Sequence, residues 1–479
     1  MTTASPSRSA AVRARLGHPV IDSDGHTVEF EPGFLDVLRT VGGAAVVDRY
    51  LGFREGRGWY HMTRQERLDR RVTRPPWWGF PTRNTLDRAT ATLPGLLHER
   101  LGECGLDFAV VYPTLGLFLP HQDDDELRQA ACRALNVFHR EIFGPYADRM
   151  TPAAVIPMHT PAEAIAELRH VTGALGFKAV LLPGFVRRPI ASVARAAPAA
   201  ARRAFWLDTF CVDSEHDYDP VWQACVDLRV APAFHSGGMG WGSRMSVSNY
   251  MFNHIGHFAA AAEGIARALF FGGVTRRFPG LPFAFLECGV GWAASLLGDL
   301  VGHWEKRNRA AIANYDPANL DRERYVTLLR QYGGAMAEGK LDRPFVGGGL
   351  VDPSREDPAM LDEFAAIGIE SAEDIRDLFV PRFYFGCEAD DRLNALAFAT
   401  DLLPFGERLR AIMSSDIGHW DVPDMTEVLE EAWELVEHGV MTEEDFRDFA
   451  FVNPARLWTA LNPDFFKGTA VEGAVDRLR

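Results

Sequence analysis

Asp24 and His26 stand two residues apart, where the apolar run that begins at Val20 gives way to polar residues. If that run is a strand, alternation points both side chains to one side. A carboxylate and an imidazole on one face can hold a divalent metal or pass a proton. The same residue types end other apolar runs: His235 in AFHSGG, Glu287 in FLECG and Asp416 in SSDIGHWD. The helical-looking NYMFNHIGHF adds His254 and His257, three residues apart and so on nearly one helix face, where they could exchange roles. Oxygen and nitrogen donors without thiolates suit Zn, Mn or Fe and argue against a structural zinc site. A single such residue at a strand end is commonly a cap, so the metal reading rests on the agreement of Asp24, His26, His235 and Asp416. Glu287 and His257 join them as ligands or as substrate contacts. His419 reads as a loop histidine, and His159, in HTPAEA, as the start of a helix.

Side chains so far apart in sequence need a scaffold that gathers strand ends. Eight short apolar runs supply one: VIDSDGH, LDFAVVYP, TPAAVIPMH, GFKAVLLPG, VAPAFHSGG, LPFAFLECG, RFYFGCE and RLRAIMSSD, each followed by a longer segment of helical character. Continuous apolar runs mark strands buried on both faces, and eight alternating with helices predict an α/β fold, a parallel (β/α)8 TIM barrel with long inserted loops and helices. Functional side chains in that fold sit at the C-terminal ends of strands, where these residues fall. The barrel is expected over 19–462, with a frayed tail over 1–18 and a C-terminal tail over 463–479. Insertions are expected at about 50–84, rich in aromatics and Arg and a candidate lid, and at 310–380.

Composition narrows the function. A net charge of -15 with no basic run disfavours nucleic acid and anionic membranes as partners. No segment reads as a signal peptide or a membrane span, and the six cysteines are scattered without a C-x-x-C pair, which fits a reducing cytoplasm.

VIDSDGHTVEF, TLDRATATLPGLLHERLGECGLDFAVVYPT, AFHSGG, RRFPGLPFAFLECGVGW, SSDIGHWD and FVNPARLW, in that order, resemble the amidohydrolase superfamily, and more narrowly its amidohydrolase-related branch of decarboxylases and hydratases. The resemblance implies a divalent-metal enzyme. Decarboxylases of that branch usually carry a histidine near the end of strand six, where this chain has Glu287. Binuclear members usually bridge two metals with a lysine ending strand four, whereas Lys178 starts its strand. A two-metal site would then consist of Asp24, His26, His235, His257, Glu287 and Asp416, a composition similar to non-haem diiron oxygenases of natural-product pathways. The expected reaction is hydroxylation of an unactivated carbon with two irons and dioxygen. The alternative is hydrolysis or decarboxylation with one Zn or Mn, with Asp416 as general base; in either case Asp416, Glu287 and His257 are the catalytic candidates.

Residues 185–204 carry Arg187, Arg188, Arg195, Arg202 and Arg203 and no acidic residue. Arginine clusters match phosphate geometry, so Arg187, Arg188 and Arg202 are read as an anion site for a coenzyme A thioester, against the plainer reading of a solvated helix. With 32 Phe residues, a bulky apolar acid or acyl thioester is the expected substrate. A homodimer is the expected assembly.

Overall fold

The computed structural model describes residues 6–56, 61–74, 76, 82–201, 203–316, 319–342 and 361–479. Ten strands are present among them: β1 (Ile21–Thr27), β2 (Phe108–Pro113), β3 (Met150–Val155), β4 (Ala179–Leu182), β5 (Val186–Pro189), β6 (Phe205–Asp208), β7 (Pro232–Phe234), β8 (Phe283–Phe285), β9 (Phe383–Glu388) and β10 (Arg410–Ser414). Eight form one parallel sheet in the order β1-β2-β3-β4-β7-β8-β9-β10, and each falls in one of the eight apolar runs. The sheet closes just past the strand ends, where Asp416 N donates to Asp24 O (2.9 Å) and His26 N to Ile417 O (2.7 Å). This is the expected (β/α)8 barrel, and its closing seam joins two of the candidate ligands.

Side-chain size explains how the sheet curls. Along β7, β8 and β9, Ala233, Ala284 and Tyr384 share a buried cluster with Ala153, Val155, Ala179 and Leu181. The alternate positions, Phe234, Phe283, Phe285, Phe383 and Phe385, stack on one another and on Trp222, Trp292 and Phe379. Trp222 and Trp292 lie on the helices Asp219–Asp227 and Gly291–Arg307, so the Phe face packs outward and the smaller residues fill the barrel.

β5 and β6 pair antiparallel as a separate hairpin. Of the Arg-rich segment, Val186 and Arg188 are buried and Arg187 and Pro189 exposed, and among the described residues only Ala191–Ala196 is α-helical. Arg202 lies outside the described residues.

The described parts of both expected tails, 6–18 and 463–479, are packed on the rest of the chain. Ser7 caps the helix Arg8–Arg15, and the buried Ser9 hydroxyl accepts from Leu429 N and Glu430 N, which fastens that helix to the body. At the other end Phe465 and Phe466 belong to the core, and a helix covers Glu472–Asp476. The chain divides into two compact units, residues 1–296 with 379–479, and residues 297–378. The second includes the helix Arg322–Tyr332, capped by Asp321, and contains most of the insertion expected at 310–380. In the 50–84 insertion a capping box of Thr63 and Glu66 starts the helix Arg64–Arg70, while Trp59, Trp77 and Trp78 of the expected lid lie outside the described residues. Among the described residues no helix is long and apolar enough to cross a membrane, and all six cysteines are free.

One buried carboxyl organises the loop beyond β2. Glu29 accepts from Leu115 N (2.9 Å) and Gly116 N (3.4 Å), fixing the turn beside Thr114, whose hydroxyl lies 3.5 Å from His419 Nε2. Burial pushes Glu29 up to about 7, against the backbone N–H groups that favour its charge. The folded state therefore keeps a proton that the unfolded chain releases above its ordinary value of 4.5. The associated stability is complete below pH 4.5 and is lost as pH rises through 7; it amounts to about 3 kcal/mol at ~1.4 kcal/mol per pH unit. Glu29→Gln should remove that part of the decline in urea midpoint between pH 4.5 and 7.5. An unchanged decline would show that Glu29 does not hold the proton.

Candidate metal centre

The register of β1 against β2 shifts between Asp22 and Gly25, and the irregularity falls on the segment that carries Asp24 and His26. Gly25 permits this packing, because a Cβ there would lie 2.8 Å from Asp22 Oδ2 and 3.1 Å from Ile417 Cγ1. Buried Asp22 in turn binds Ser415 N (2.9 Å) and Ser415 Oγ (2.6 Å), which ties the end of β10 to β1 and sets Asp416 beside Asp24. Glu287 and Asp416, just past β8 and β10, both have φ of 51°, a left-handed conformation uncommon for residues other than glycine. Backbone strain of this kind persists where surrounding structure enforces it, commonly at functional sites.

The donor atoms converge tightly. His26 Nε2 lies 3.4 Å from Asp24 Oδ1, 3.4 Å from Asp416 Oδ1 and 3.3 Å from His235 Nε2. His235 Nε2 is 3.1 Å from Glu287 Oε2 and 4.0 Å from Asp24 Oδ2. His419 stacks on His26 with ring centroids 3.7 Å apart, and its Nδ1 is 2.7 Å from Asp416 Oδ1. Two groups of potential ligands result, Asp24–His26–His235 and His26–Glu287–Asp416–His419, with the offered atoms of each group within 4.8 Å of one another.

These groups have the chemistry of a cation site. Both carboxylate oxygens of Asp24 and of Asp416, together with Glu287 Oε2, are buried without a hydrogen-bond partner. Such atoms are costly unless something else satisfies them. Burial holds Asp24, Glu287 and Asp416 well above the ordinary carboxylate range; Asp421 adds to this for Glu287, and Glu287 and Asp421 for Asp416. Burial also lowers His26 and His235, and pushes His419 down to about 3, leaving neutral rings with lone pairs to offer. A divalent ion would satisfy the carboxylates and imidazoles together.

Five of the six expected ligands, Asp24, His26, His235, Glu287 and Asp416, meet here. His257 does not enter either group. It starts the helix His257–Phe271 with its ring against Gly237, where a Cβ would come within 2.5 Å of it, and it lies 4.6 Å from the His254 ring, centroid to centroid. Both His257 ring nitrogens are buried without a hydrogen bond. His419, read from sequence as a loop histidine, takes the place expected of His257. Glu388 and Asp421, which the sequence reading did not select, form a third group with Glu287. Lys178 lies at the far end of its strand, as expected, and donates to Phe465 O. Arg188 is committed internally: Nε meets Asp208 Oδ2 at 2.9 Å and Nη2 meets Tyr218 OH at 2.9 Å. Arg187 is exposed and lies over the Phe205 ring.

The architecture is a parallel (β/α)8 barrel with imidazoles and carboxylates gathered at the C-terminal ends of its strands. Residues 104–333 match the family model described as Amidohydrolase. The structure is similar to that of a dihydroxybenzoic acid decarboxylase from Polaromonas sp. JS666 with bound manganese and the inhibitor 2-nitroresorcinol. The TM-score is 0.54 at 14% identity, covering 94% of this chain and 99% of that one. It is also similar to apo IDCase from Metarhizium anisopliae, with a TM-score of 0.50 at 10% identity, covering 94% and 98%. No curated protein matches the chain. Residues 104–333 are thus similar to the amidohydrolase family, and the solved structures share the barrel fold.

Proposed function

We propose that this chain is a divalent-metal-dependent decarboxylase of a bulky, apolar organic acid. The observation that carries the reading is the set of buried, unpartnered carboxylate oxygens facing two Nε2 atoms at the barrel mouth. The manganese-bound decarboxylase of similar fold supports the choice of reaction. Asp24, His26, His235 and Asp416 would hold the ion, which supplies Lewis acidity toward the substrate's carboxylate and a neighbouring oxygen.

The chain's own residues supply the rest. Decarboxylation leaves an electron pair on carbon that must take up a proton as CO2 departs. Asp416 is placed for that role, with His419 Nδ1 2.7 Å from its Oδ1 as a proton partner. His419, with a side chain 12% exposed and 2.7 Å from Asp416, can return the proton from the mouth. Phe258 packs edge-on to His235 and Trp420 edge-on to His254, so apolar surface adjoins the site. With Arg188 neutralised by Asp208, the substrate is read as a free acid rather than a coenzyme A thioester. His257 is assigned a substrate contact.

The test is CO2 release from a panel of aromatic and polycyclic acids under argon with Mn2+. Asp416→Asn should cut kcat by about 100-fold or more, the range that loss of a positioned acid usually costs. Product formed by water addition without CO2 would replace decarboxylation with hydrolysis. A second reading, hydroxylation by an iron pair, is favoured by one feature: Glu287 where decarboxylases of this branch carry a histidine. It requires substrate-dependent oxygen uptake and no turnover under argon.

A further inference from the structure

We propose that the face of the barrel opposite the metal centre holds a separate ligand site, which takes a small organic carboxylate with a short apolar body. A cavity of about 60 Å3 opens there at the start of β2, β3 and β4, bounded by the end of the helix Asp125–Phe143 and by the C-terminal segment. Its charged lining residues are Arg140 and Lys178, with no acidic side chain, in a chain whose net charge is -15. Among the described residues neither cation forms an ion pair. Lys178 Nζ donates to Phe465 O (2.7 Å), which leaves two of its three N–H groups for a ligand. The Arg140 guanidinium rests on Gly144, where a Cβ would lie 3.2 Å from Nη1, so the missing side chain lets it lie across the helix end.

The lining calls for a ligand with both an anionic and an apolar part. Arg140 is exposed and water can serve it, but Lys178 is half-buried, and burial lowers its pKa although the charges of Asp464 and Glu472 act in the other direction. An anion between the two cations would replace the solvation that burial removes. Phe108, Phe143, Met150 and Phe465 are buried apolar walls of the same cavity, and Gly176, also on its lining, faces open space. At ~10–15 Å3 for each water-sized occupant, the enclosed part admits about four heavy atoms, a carboxylate with one or two carbons behind it. A carboxylate meets a planar guanidinium with two parallel hydrogen bonds, and its hydrocarbon end meets the walls, where a phosphate dianion would set charged oxygens. Side chains at this end of such barrels serve stability, so the ligand would brace the C-terminal segment through Lys178 and Phe465. Neither the metal nor the proposed reaction takes part in this site.

The experiment is saturation-transfer NMR of butyrate with the full-length chain after chelator treatment and dialysis, so that no metal holds the carboxylate. Wild-type protein should give a saturable butyrate signal that an equal concentration of inorganic phosphate does not displace. Arg140→Gln should weaken binding by about 10-fold or more, the usual cost of a lost hydrogen bond to a charged group. Because Arg140 is exposed, that variant carries little risk to folding. Arg140→Gln with Lys178→Met should abolish the signal. No saturable signal in the wild type, or a signal unchanged in both variants, overturns the site. Displacement by phosphate overturns its assignment to carboxylates.

Discussion

His26→Ala is expected to abolish tight binding of the metal and to lower kcat/KM by more than about 100-fold, the upper end of what loss of a mere supporting residue costs. The reason is geometric. His26 Nε2 is the shared neighbour of Asp24, Asp416 and His235, at 3.4, 3.4 and 3.3 Å, so its removal takes the central donor from both ligand groups. Stability gives a readout independent of turnover. Wild-type protein should gain about 2.7 kcal/mol when Mn2+ is present at 100 times its Kd, whereas the variant should gain little at that concentration. A variant that retained Mn2+ affinity and activity would show that the convergence of these atoms has another purpose.

Arg188→Ala should act on folding and leave KM for the acid substrate unchanged. Arg188 and Asp208 are both buried, and Asp208 also accepts from Phe210 N and Ser214 Oγ. Tyr218 receives Arg188 Nη2 and passes its own hydrogen to Met158 O, which links the hairpin to the end of β3. Removing the guanidinium leaves a carboxylate buried without its cation, a change that costs about 3–5 kcal/mol. The loss should appear as a lower urea midpoint. A raised KM with unchanged stability would instead restore Arg188 to the anion-binding role suggested by its sequence neighbours.

The barrel was legible because strands covered on both faces leave continuous apolar runs, and all eight lie where such runs occur. The β5–β6 hairpin was not, because VRRP reads as polar until the partner of Arg188 is known, and Asp208 is twenty residues away. Asp24, His26, His235, Glu287 and Asp416 could be found from residue type at strand ends. His419 could not, because its position depends on the left-handed turn at Asp416 and Gly418, which folds the chain back over His26. Spacing rightly related His254 to His257 but could not reveal that His257 packs against Gly237 and stays outside the ligand groups. The expected N-terminal tail failed for a similar reason: the residues that accept Ser9 as a partner lie some 420 positions away.

The most direct measurement is the metal content of the purified full-length wild-type chain and of His26→Ala, by plasma mass spectrometry after dialysis against metal-free buffer. At least about one equivalent of a divalent transition metal in the wild type, and far less in the variant, is the expected result. A wild-type chain that is correctly folded and free of metal, and that fails to take up Mn2+, Zn2+ or Fe2+ when they are supplied, would contradict the metal centre and the function built on it.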